Sequence, residues 1–276
     1  MSTNDFDVVL EPNKSDSHYW KDLWKFRGLF YFLSWRDILV RYKQTVIGIA
    51  WSIIRPLITM LVFTVIFGKL AHLPDQGVPY ILLVCAGMLP WQFFSNAFTE
   101  SANSLISNSN MLSKVYFPRL IVPASAVIVS LVDLAISFAI LIGLMIYYQF
   151  IPGLQILFLP VFVLYACMLT LGAGFFISAL NVRYRDFRYI VPFIVQFGLY
   201  ISPVGFSSDV VPEKWKLIYS LNPMVSVIDG FRWCILGGEN PLMQRAFLNS
   251  LIITLVLFIG GLRYFRRMEK RFADVI

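Results

Sequence analysis

Charged residues are scarce in this sequence. Asp, Glu, Lys and Arg make up 14% of the 276 residues, whereas hydrophobic residues make up 58%. An ordinary soluble domain has about 25% charged residues, and a water-soluble core of this size could not bury so much apolar sequence. The shortage of charge therefore excludes an ordinary soluble domain and predicts that lipid covers part of the chain.

Residues that carry out catalysis or bind cofactors are also few. The two histidines, His18 and His72, have no second ligand or general base nearby in the sequence, and the three cysteines lack the spacing of a zinc site or a disulfide framework. Gly68-Lys69 is followed by Leu70, so the chain has no ATP-binding P-loop. We predict no catalytic, metal or cofactor site here. The polar, acidic N-terminus also lacks the order of a secretory signal, so no cleavage is expected.

Long apolar runs take the place of charge. A helix needs about 20 apolar residues to cross a hydrocarbon core of about 30 Å, and six runs approach or exceed this length. We therefore predict an all-α integral membrane protein with six membrane-spanning helices. A cytoplasmic segment at 1–46 precedes one transmembrane domain at 47–276. The predicted spans are 47–70, 79–98, 120–150, 154–180, 190–206 and 247–264.

The orientation follows from the positive charges. The net charge of +7 comes from short basic clusters, which lie mostly in one alternating set of segments that includes both ends of the chain. Because positively charged loops stay in the cytoplasm, the N and C termini are predicted to be cytoplasmic. Such clusters also contact anionic lipid, and their placement between apolar runs argues against nucleic-acid binding.

Residues 207–245 are apolar enough to suggest a seventh span. However, Asn222-Pro223 interrupts this segment and Asp229 and Arg232 lie within it, and a full crossing would put the basic C-terminus outside. We therefore predict two short re-entrant helices that dip back from the outer face between the fifth and sixth spans. Irregular backbone at that depth must be buried in protein or line an aqueous cavity, which indicates a pore lining.

The segment before the first span mixes Trp, Phe and Leu with cations at helical spacing, over about residues 19–44. This pattern predicts an amphipathic helix that lies in the cytoplasmic membrane interface. The alternative is a soluble helix packed on another domain.

Ionisable and aromatic residues within the spans leave two questions open. Asp133 and Arg55 are the candidates for ionisable residues in mid-membrane, away from the ends of the runs. Asp133 either pairs with a polar neighbour or relays protons, while Arg55 can reach the cytoplasmic interface. Aromatic residues make up 16% of the chain. They form interfacial belts and packing, or some of them line a passage for sugars by stacking on pyranose rings.

Several short motifs, in order along most of the chain, resemble ABC-2 type permeases that export polysaccharides. Each motif is weak alone, and together they are specific. They are Val40-Arg41-Tyr42-Lys43-Gln44-Thr45-Val46-Ile47-Gly48-Ile49-Ala50-Trp51 with Arg55-Pro56-Leu57, Gly87-Met88-Leu89-Pro90-Trp91-Gln92-Phe93-Phe94, Val115-Tyr116-Phe117-Pro118-Arg119 with Pro123, Asn181-Val182-Arg183-Tyr184-Arg185-Asp186, Ser202-Pro203-Val204 and Asn222-Pro223-Met224.

The resemblance implies a homodimer in a bacterial inner membrane that works with two copies of a separate cytoplasmic ATPase, on which ATP and Mg²⁺ would bind. It would move lipid-linked glycans such as O-antigen, capsule or teichoic acid outward. The 19–44 helix and the 104–119 loop would dock on the ATPase, and the 207–245 segment corresponds to the family's outer gate helices. The loop residues expected to couple to the ATPase are Ser104, Asn108, Asn110, Met111, Leu112, Lys114, Tyr116, Phe117 and Arg119.

Two further groups of residues are assigned on the same basis. Cations at the cytoplasmic headgroup layer would meet a lipid diphosphate, for which Arg suits bidentate contact, or they would set topology alone. They are Arg41, Lys43, Arg55, Arg183, Arg185 and Arg188. The expected channel and gate residues are Trp51, Trp91, Phe94, Tyr200, Pro203, Asn222, Pro223 and Trp233.

Two other functions remain open at this point. An ABC-2 type exporter of a drug or small lipid would have similar aromatic spans, and neighbouring genes for glycosyltransferases would distinguish it. A membrane-embedded transferase acting on polyprenyl phosphate would need paired carboxylates or His at headgroup depth. Asp186 and Glu100 are the convenient candidates and form no evident pair in the sequence.

Overall fold

The computed structural model describes residues 16–43, 48–74, 77–184, 186–270 and 272. Within these ranges the regular structure is helical. The α-helices are α1 (Asp16–Lys25), α2 (Arg27–Lys43), α3 (Gly48–Phe63), α4 (Tyr80–Ser107), α5 (Ser109–Leu112), α6 (Ile121–Tyr147), α7 (Leu159–Arg183), α8 (Phe187–Ile201), α9 (Glu213–Tyr219), α10 (Pro223–Leu236) and α11 (Arg245–Glu269). A π-helix, Thr64–Leu70, continues α3, and 3₁₀-helices cover Leu154–Phe158, Ser208–Val210 and Pro241–Met243.

Five helical segments of the described chain are long and apolar enough to cross a membrane. They are Ile53–Leu70, Tyr80–Ser107, Ile121–Tyr147, Leu154–Arg183 and Arg245–Glu269. These segments confirm the predicted all-helical membrane protein and match five of the six predicted spans. The other predicted span corresponds to α8, which has 15 residues and is shorter than the roughly 20 residues that a full crossing needs. The count of six spans, like the orientation of the termini, stays a prediction.

The end of α8 differs from the prediction for a local reason. The apolar run continues to Phe206, but the helix ends at Ile201 because Pro203 follows Ser202. A residue before proline is pushed out of the helical region, and Ser202 is extended, with φ −84° and ψ 151°. The chain then forms a short loop, residues 202–206, which we call the α8 loop.

Helix α4 continues past the predicted end of its span at Phe98 as far as Ser107. The apolar run stops where polar residues begin, yet these residues stay helical. Thr99 and Asn103 donate side-chain hydrogen bonds to the carbonyls four residues earlier, at 2.7 Å and 2.9 Å. Hydropathy therefore marks the end of the apolar run and misses the end of the helix.

The predicted N-terminal amphipathic helix is divided at Phe26 into α1 and α2. The break is small, because the Phe26 N–H donates to the Asp22 carbonyl at 2.9 Å and the Phe30 N–H donates to the Phe26 carbonyl at 3.1 Å. Leu33 is buried, whereas Trp24 is exposed. The segment thus has one apolar face against the protein and aromatic side chains on its outside.

Helix α4 is the centre of the bundle. It packs against α6, α7 and α10, and it is by far the most buried of the five candidate spans. Helices α3 and α8, by contrast, lie at the edge of the subunit, where large apolar side chains such as Ile58 and Phe193 are exposed. Exposed apolar surface of this kind is covered by lipid or by another protein chain.

Helices α7 and α11 approach each other closely at two glycines. A Cβ atom on Gly172 would lie 2.6 Å from the backbone of Phe258, and one on Gly261 would overlap the carbonyl of Gly172. Small residues allow membrane helices to approach closely, which increases van der Waals packing where lipid provides no hydrophobic driving force. These two glycines therefore hold the C-terminal span against the fourth.

Candidate functional site

A second apolar cluster, separate from the main core, joins three parts of the chain at one end of the bundle. Leu33 of α2, Leu112 and Phe117 of the loop after α4, and Phe265 and Phe272 at the C-terminal end are buried together. The loop after α4 is therefore packed between the N-terminal helices and the end of α11. The loop predicted at 104–119 begins later, because α4 continues to Ser107 and includes Ser104. We call residues 108–119 the coupling loop, after the role that the sequence predicts for them.

Polar contacts fix the coupling loop on both sides. Arg36 of α2 donates a hydrogen bond from Nη2 to Asn108 Oδ1 at 3.1 Å. At the other end of the loop, the backbone N–H of Arg119 donates to Glu269 Oε1 at 2.7 Å, and Arg119 Nη1 donates to the Glu269 carbonyl at 3.1 Å. A force applied to the coupling loop would thus reach α2 and α11 without an intervening flexible linker.

The predicted coupling residues divide into buried and exposed groups. Ser104, Leu112 and Phe117 are buried, and Asn108, Met111 and Arg119 are half-buried. The remaining three point outward, and the side chain of Tyr116 is 59% exposed. The exposed surface of the coupling loop is formed by Asn110, Ser113, Lys114, Val115 and Tyr116.

An ion cluster holds the C-terminal end of α2 against two spans. Arg41 forms salt bridges with Glu100 of α4 and with Asp133 of α6, the latter at 2.6 Å, and the Tyr42 hydroxyl donates a hydrogen bond to Asp133. Burial, followed by this contact with Asp133, raises the pKa of Tyr42. Asp133 is therefore paired with polar neighbours, as one of the two interpretations of the sequence expected.

The other predicted phosphate-binding cations lie differently from Arg41. Lys43, Arg55, Arg183 and Arg188 are exposed, whereas the guanidinium of Arg41 is bound by two carboxylates. Arg185 lies outside the described residues. The exposed cations are thus accessible to anionic lipid. Arg41, in contrast, forms salt bridges within the protein, with Glu100 and Asp133.

At the opposite end of α4, the α8 loop is held by a buried arginine. Arg232 of α10 donates hydrogen bonds to the carbonyls of Val204 at 3.0 Å, Phe206 at 2.6 Å and Leu83 at 3.3 Å. Burial lowers the pKa of Arg232 to about 10, which still leaves it protonated at neutral pH. Gly87 makes room for this contact, since a Cβ there would lie 2.8 Å from the guanidinium.

Two further contacts fasten the α8 loop. The Tyr80 hydroxyl donates to the Gly205 carbonyl, and Asn222 Nδ2 donates to Ser202 Oγ at 2.9 Å while its Oδ1 caps α10 by accepting from the Met224 N–H. Nearby, Asp229 accepts a hydrogen bond from Ser208 at 2.6 Å, and burial raises the pKa of Asp229 to about 6. The segment that the sequence predicts as a gate is therefore bound to the α8 loop by several polar contacts.

Comparison with known proteins assigns this architecture to a family. The profile of the ABC-2 type transporter family matches residues 28–236. The chain belongs to the ABC-2 type transporter family. The predicted resemblance is thereby confirmed, and the family implies a transport permease that works with a partner ATPase subunit in a membrane.

Three relatives of this ABC-2 permease are informative. The O-antigen export system permease protein RfbA of Klebsiella pneumoniae is 30% identical over 243 residues, which cover 87% of this chain and 92% of that protein. RfbA of Myxococcus xanthus is 27% identical over 262 residues, covering 93% and 98%. The inner membrane transport permease YadH of Escherichia coli is 24% identical over 223 residues, covering 75% and 84%. The ABC-2 permease is a multi-pass protein of the bacterial inner membrane.

The predicted channel and gate residues of the permease are not brought together on one surface. Trp91, Phe94 and Trp233 are buried inside the subunit, whereas Tyr200 is 65% exposed. Pro203 is buried in the α8 loop, and Asn222 and Pro223 are half-buried at the start of α10. The side chain of Trp51 lies outside the described part of the chain.

A row of aromatic rings on α8 was largely missed by the sequence interpretation. Tyr189, Phe193, Phe197 and Tyr200 are each half exposed or more, on the face opposite Val191, which is buried. Their spacing of four, four and three residues puts them on one side of the helix, and this spacing was the signal available in the sequence. We call these four residues the aromatic row. The rings of the aromatic row point away from the rest of their own subunit.

Proposed function

We propose that the chain is the membrane subunit of an ATP-driven exporter that moves lipid-linked polysaccharide of the O-antigen type outward across the inner membrane. In this proposal two copies of the permease associate with two copies of a cytoplasmic ATPase subunit. The observation that carries the proposal is the similarity to O-antigen export permeases over 87–93% of the chain. The permease itself would be non-catalytic.

The coupling loop supports the ATPase partnership. Its exposed surface combines an amide, a hydroxyl, a cation, an apolar side chain and an aromatic ring, in Asn110, Ser113, Lys114, Val115 and Tyr116. Aromatic residues at the centre of a contact often provide much of its binding energy. Because the loop is bound to α2 and α11, movement of the ATPase would reach the spans as a rigid-body displacement.

The aromatic row supports both the second copy and the sugar cargo. Within the residues that the structure describes, no other segment of the subunit covers these rings, and a second copy facing it would enclose a passage with aromatic walls. Aromatic rings stack on the C–H faces of sugars without fixing one position, which suits a polymer that slides. The phenol groups of Tyr189 and Tyr200 add polar contacts near the two ends of the row.

The same proposal places the N and C termini in the cytoplasm. The coupling loop, α2 and the end of α11 then form the cytoplasmic side, while the α8 loop, α9 and α10 form the outer side. In this arrangement α8 is a sixth, short span, with the α8 loop completing the crossing. The bonds between Arg232, Asn222 and the α8 loop would keep the outer side closed while no polymer is being moved.

Deletion of the gene in its native host tests the proposal. We expect lipid-linked polymer to accumulate in the cytoplasm, with surface glycan lost, because synthesis precedes the blocked step. Glycan would be extracted from spheroplasts and from the cell surface and compared by gel electrophoresis. A plasmid copy of the gene should restore the surface glycan.

Two results would contradict this function. Loss of all polymer synthesis would indicate a transferase, and unchanged surface glycan together with altered drug resistance would indicate an exporter of small molecules. Both measurements use the same deletion strain and the same complementing plasmid.

A substitution at Tyr116 tests the coupling loop separately. Tyr116→Asp puts a carboxylate in the middle of the exposed surface, and we expect the amount of ATPase subunit that co-purifies in detergent to fall about tenfold, the size of effect typical of a central contact residue. The matched control is Tyr147→Asp, since Tyr147 is also exposed but lies at the other end of α6. Equal loss of the ATPase in both variants, or loss in neither, would refute the assignment of the docking surface.

A further inference from the structure

One face of α4 carries polar side chains along a membrane span. We call Gln92, Asn96, Thr99 and Asn103 the polar row. Their spacing of four, three and four residues puts them on one side of the helix, and at 1.5 Å per residue the row is about 16 Å long. The opposite face of α4 packs into the apolar core. The row therefore lies on the side of α4 that the subunit leaves partly open.

The side chains of the polar row are accessible and incompletely bonded. Asn96 is exposed and the other three are half-buried. Thr99 and Asn103 donate to carbonyls of their own helix, and Asn103 Oδ1 also accepts a hydrogen bond from Asn181 Nδ2 of α7 at 3.3 Å. The side-chain amides of Gln92 and Asn96, by contrast, have no hydrogen-bond partner among the described residues. An amide that faces hydrocarbon without a partner is strongly unfavourable. These side chains must face water, another polar molecule or a second copy.

A small crevice lies beside the upper end of the row. Gln92 lines it together with Ser137 of α6, and Pro56 and Met60 of α3 close its other side. The crevice is thus formed where α3 crosses in front of α4 and α6. Most of its lining is apolar, including Met88, Leu89 and Ile140. The unpartnered amides of Gln92 and Asn96, and not this crevice, therefore indicate a polar surrounding.

The charges near the row disfavour an anionic ligand. Glu100 is on the flank of the row, between Asn96 and Asn103, and with Asp133 it sets two carboxylates against the single guanidinium of Arg41. The row itself has no charge. The exposed cations Lys43 and Arg55 lie on α2 and α3 and not on the row. At the flank of the row itself, phosphate or carboxylate groups of a polymer would meet a net negative charge, whereas a neutral polymer would not.

We propose that the polar row binds the hydroxyl groups of an uncharged glycan inside a water-filled lane, an inference that rests on the export function proposed above. Amides and hydroxyls both donate and accept hydrogen bonds, as sugar hydroxyls do. The lane would select neutral polysaccharide over polyanionic polymers of the teichoic acid type.

Removal of the polar groups tests the lane. Asn96→Leu and Thr99→Val keep the size of the side chains and remove their hydrogen-bonding groups, and we expect the double variant to lower surface glycan about tenfold, because polar groups on the sugar then lose their partners. Thr170→Val is the matched control, since the buried Thr170 makes the same bond to its own helix, at 2.7 Å. Normal export by the double variant would overturn the proposal.

Thiol labelling checks that water reaches the row. In inverted membrane vesicles, a charged, membrane-impermeant methanethiosulfonate reagent should modify Asn96→Cys about tenfold faster than Val256→Cys, because the reactive thiolate forms only where water is present. Val256 is an exposed apolar residue in the middle of α11, and the unsubstituted chain gives the background of the native cysteines. Equal rates, or spontaneous cross-linking of two copies through Asn96→Cys, would overturn the lane.

The composition of the cargo separates this inference from the export function. The polymer that accumulates in the deletion strain should contain neither phosphate in its repeat unit nor uronic acid. A polyanionic polymer that the wild-type chain exports would refute the lane while leaving the export function intact. If the wild-type chain exports no polymer, the function itself fails.

Discussion

Arg232→Met should reduce the amount of folded permease in the membrane to about a tenth or less, since breaking a buried charge network has one of the largest effects of any single substitution. Methionine has a similar length and no donor. The carbonyls of Leu83, Val204 and Phe206 would then lose the guanidinium that binds them. Each buried acceptor left without a partner costs about 1–3 kcal/mol.

Lysine at this position separates charge from geometry. Arg232→Lys keeps the positive charge, but a single ammonium group cannot reach three carbonyls that a planar guanidinium bridges. We therefore expect Arg232→Lys to recover little of the loss. Arg188→Met is the matched control, because Arg188 is exposed on α8, and it should leave the protein level unchanged.

Fluorescence-detected gel filtration of detergent extracts, with a heating series, measures both the amount and the stability of each variant. A monodisperse peak for Arg232→Met at the wild-type level and midpoint would show that the α8 loop does not depend on Arg232. In that case, the outer side would be held by Tyr80 and Asn222 alone.

The sequence predicted the fold class, the family and the inner-membrane location because these depend on composition and on order along the chain. Long apolar runs report spans directly, and the family motifs recur in sequence order. The ends of helices were harder to predict. Hydropathy could not show that Pro203 ends α8 or that α4 continues to Ser107, because in both cases local backbone geometry outweighs the apolar pattern.

Contacts between distant parts of the chain explain why the site was predicted only in part. Arg41 and Asp133 are each visible as ionisable residues, yet 92 positions separate them in the chain, and no local pattern indicates that they pair. Arg232 is a similar case, since its partners lie in α4 and in the α8 loop. From the sequence alone, Arg41 can be recognised only as a further cation near the lipid headgroups.

The polar and aromatic rows are different, because each lies on one helix. The four-and-three spacing of Gln92, Asn96, Thr99 and Asn103 is readable in the sequence, as is the spacing of the aromatic row. What the sequence could not show is which face of α4 or α8 the subunit leaves open. Trp91 and Phe94 are adjacent in the sequence to Gln92 and Ser95. They are nevertheless buried, because they lie on the sides of α4 that face the core.

Charge reversal at the α2 ion cluster is expected to stop export and a second reversal to restore it. In Arg41→Glu, three carboxylates would face one another where α2 meets α4 and α6, and like charges at this distance repel strongly in a partly buried site. Helix α2 would leave its place on the spans. Because α2 also holds the coupling loop through Arg36 and Asn108, the docking proposed for the ATPase would then be connected to the bundle only through the contact of Arg119 with α11.

The second reversal places a guanidinium on α4. In the double variant Arg41→Glu with Glu100→Arg, the new cation lies between the introduced carboxylate and Asp133, so the pairing is rebuilt with the charges exchanged. We expect surface glycan to be undetectable in the single variant and to return to at least about half of the wild-type level in the double variant, since the interaction term of a mutant cycle isolates the pair. Lys43→Glu, an exposed neighbour on α2, should have little effect. Export by Arg41→Glu alone, or a double variant as inactive as the single one, would show that this cluster does not connect α2 to the spans.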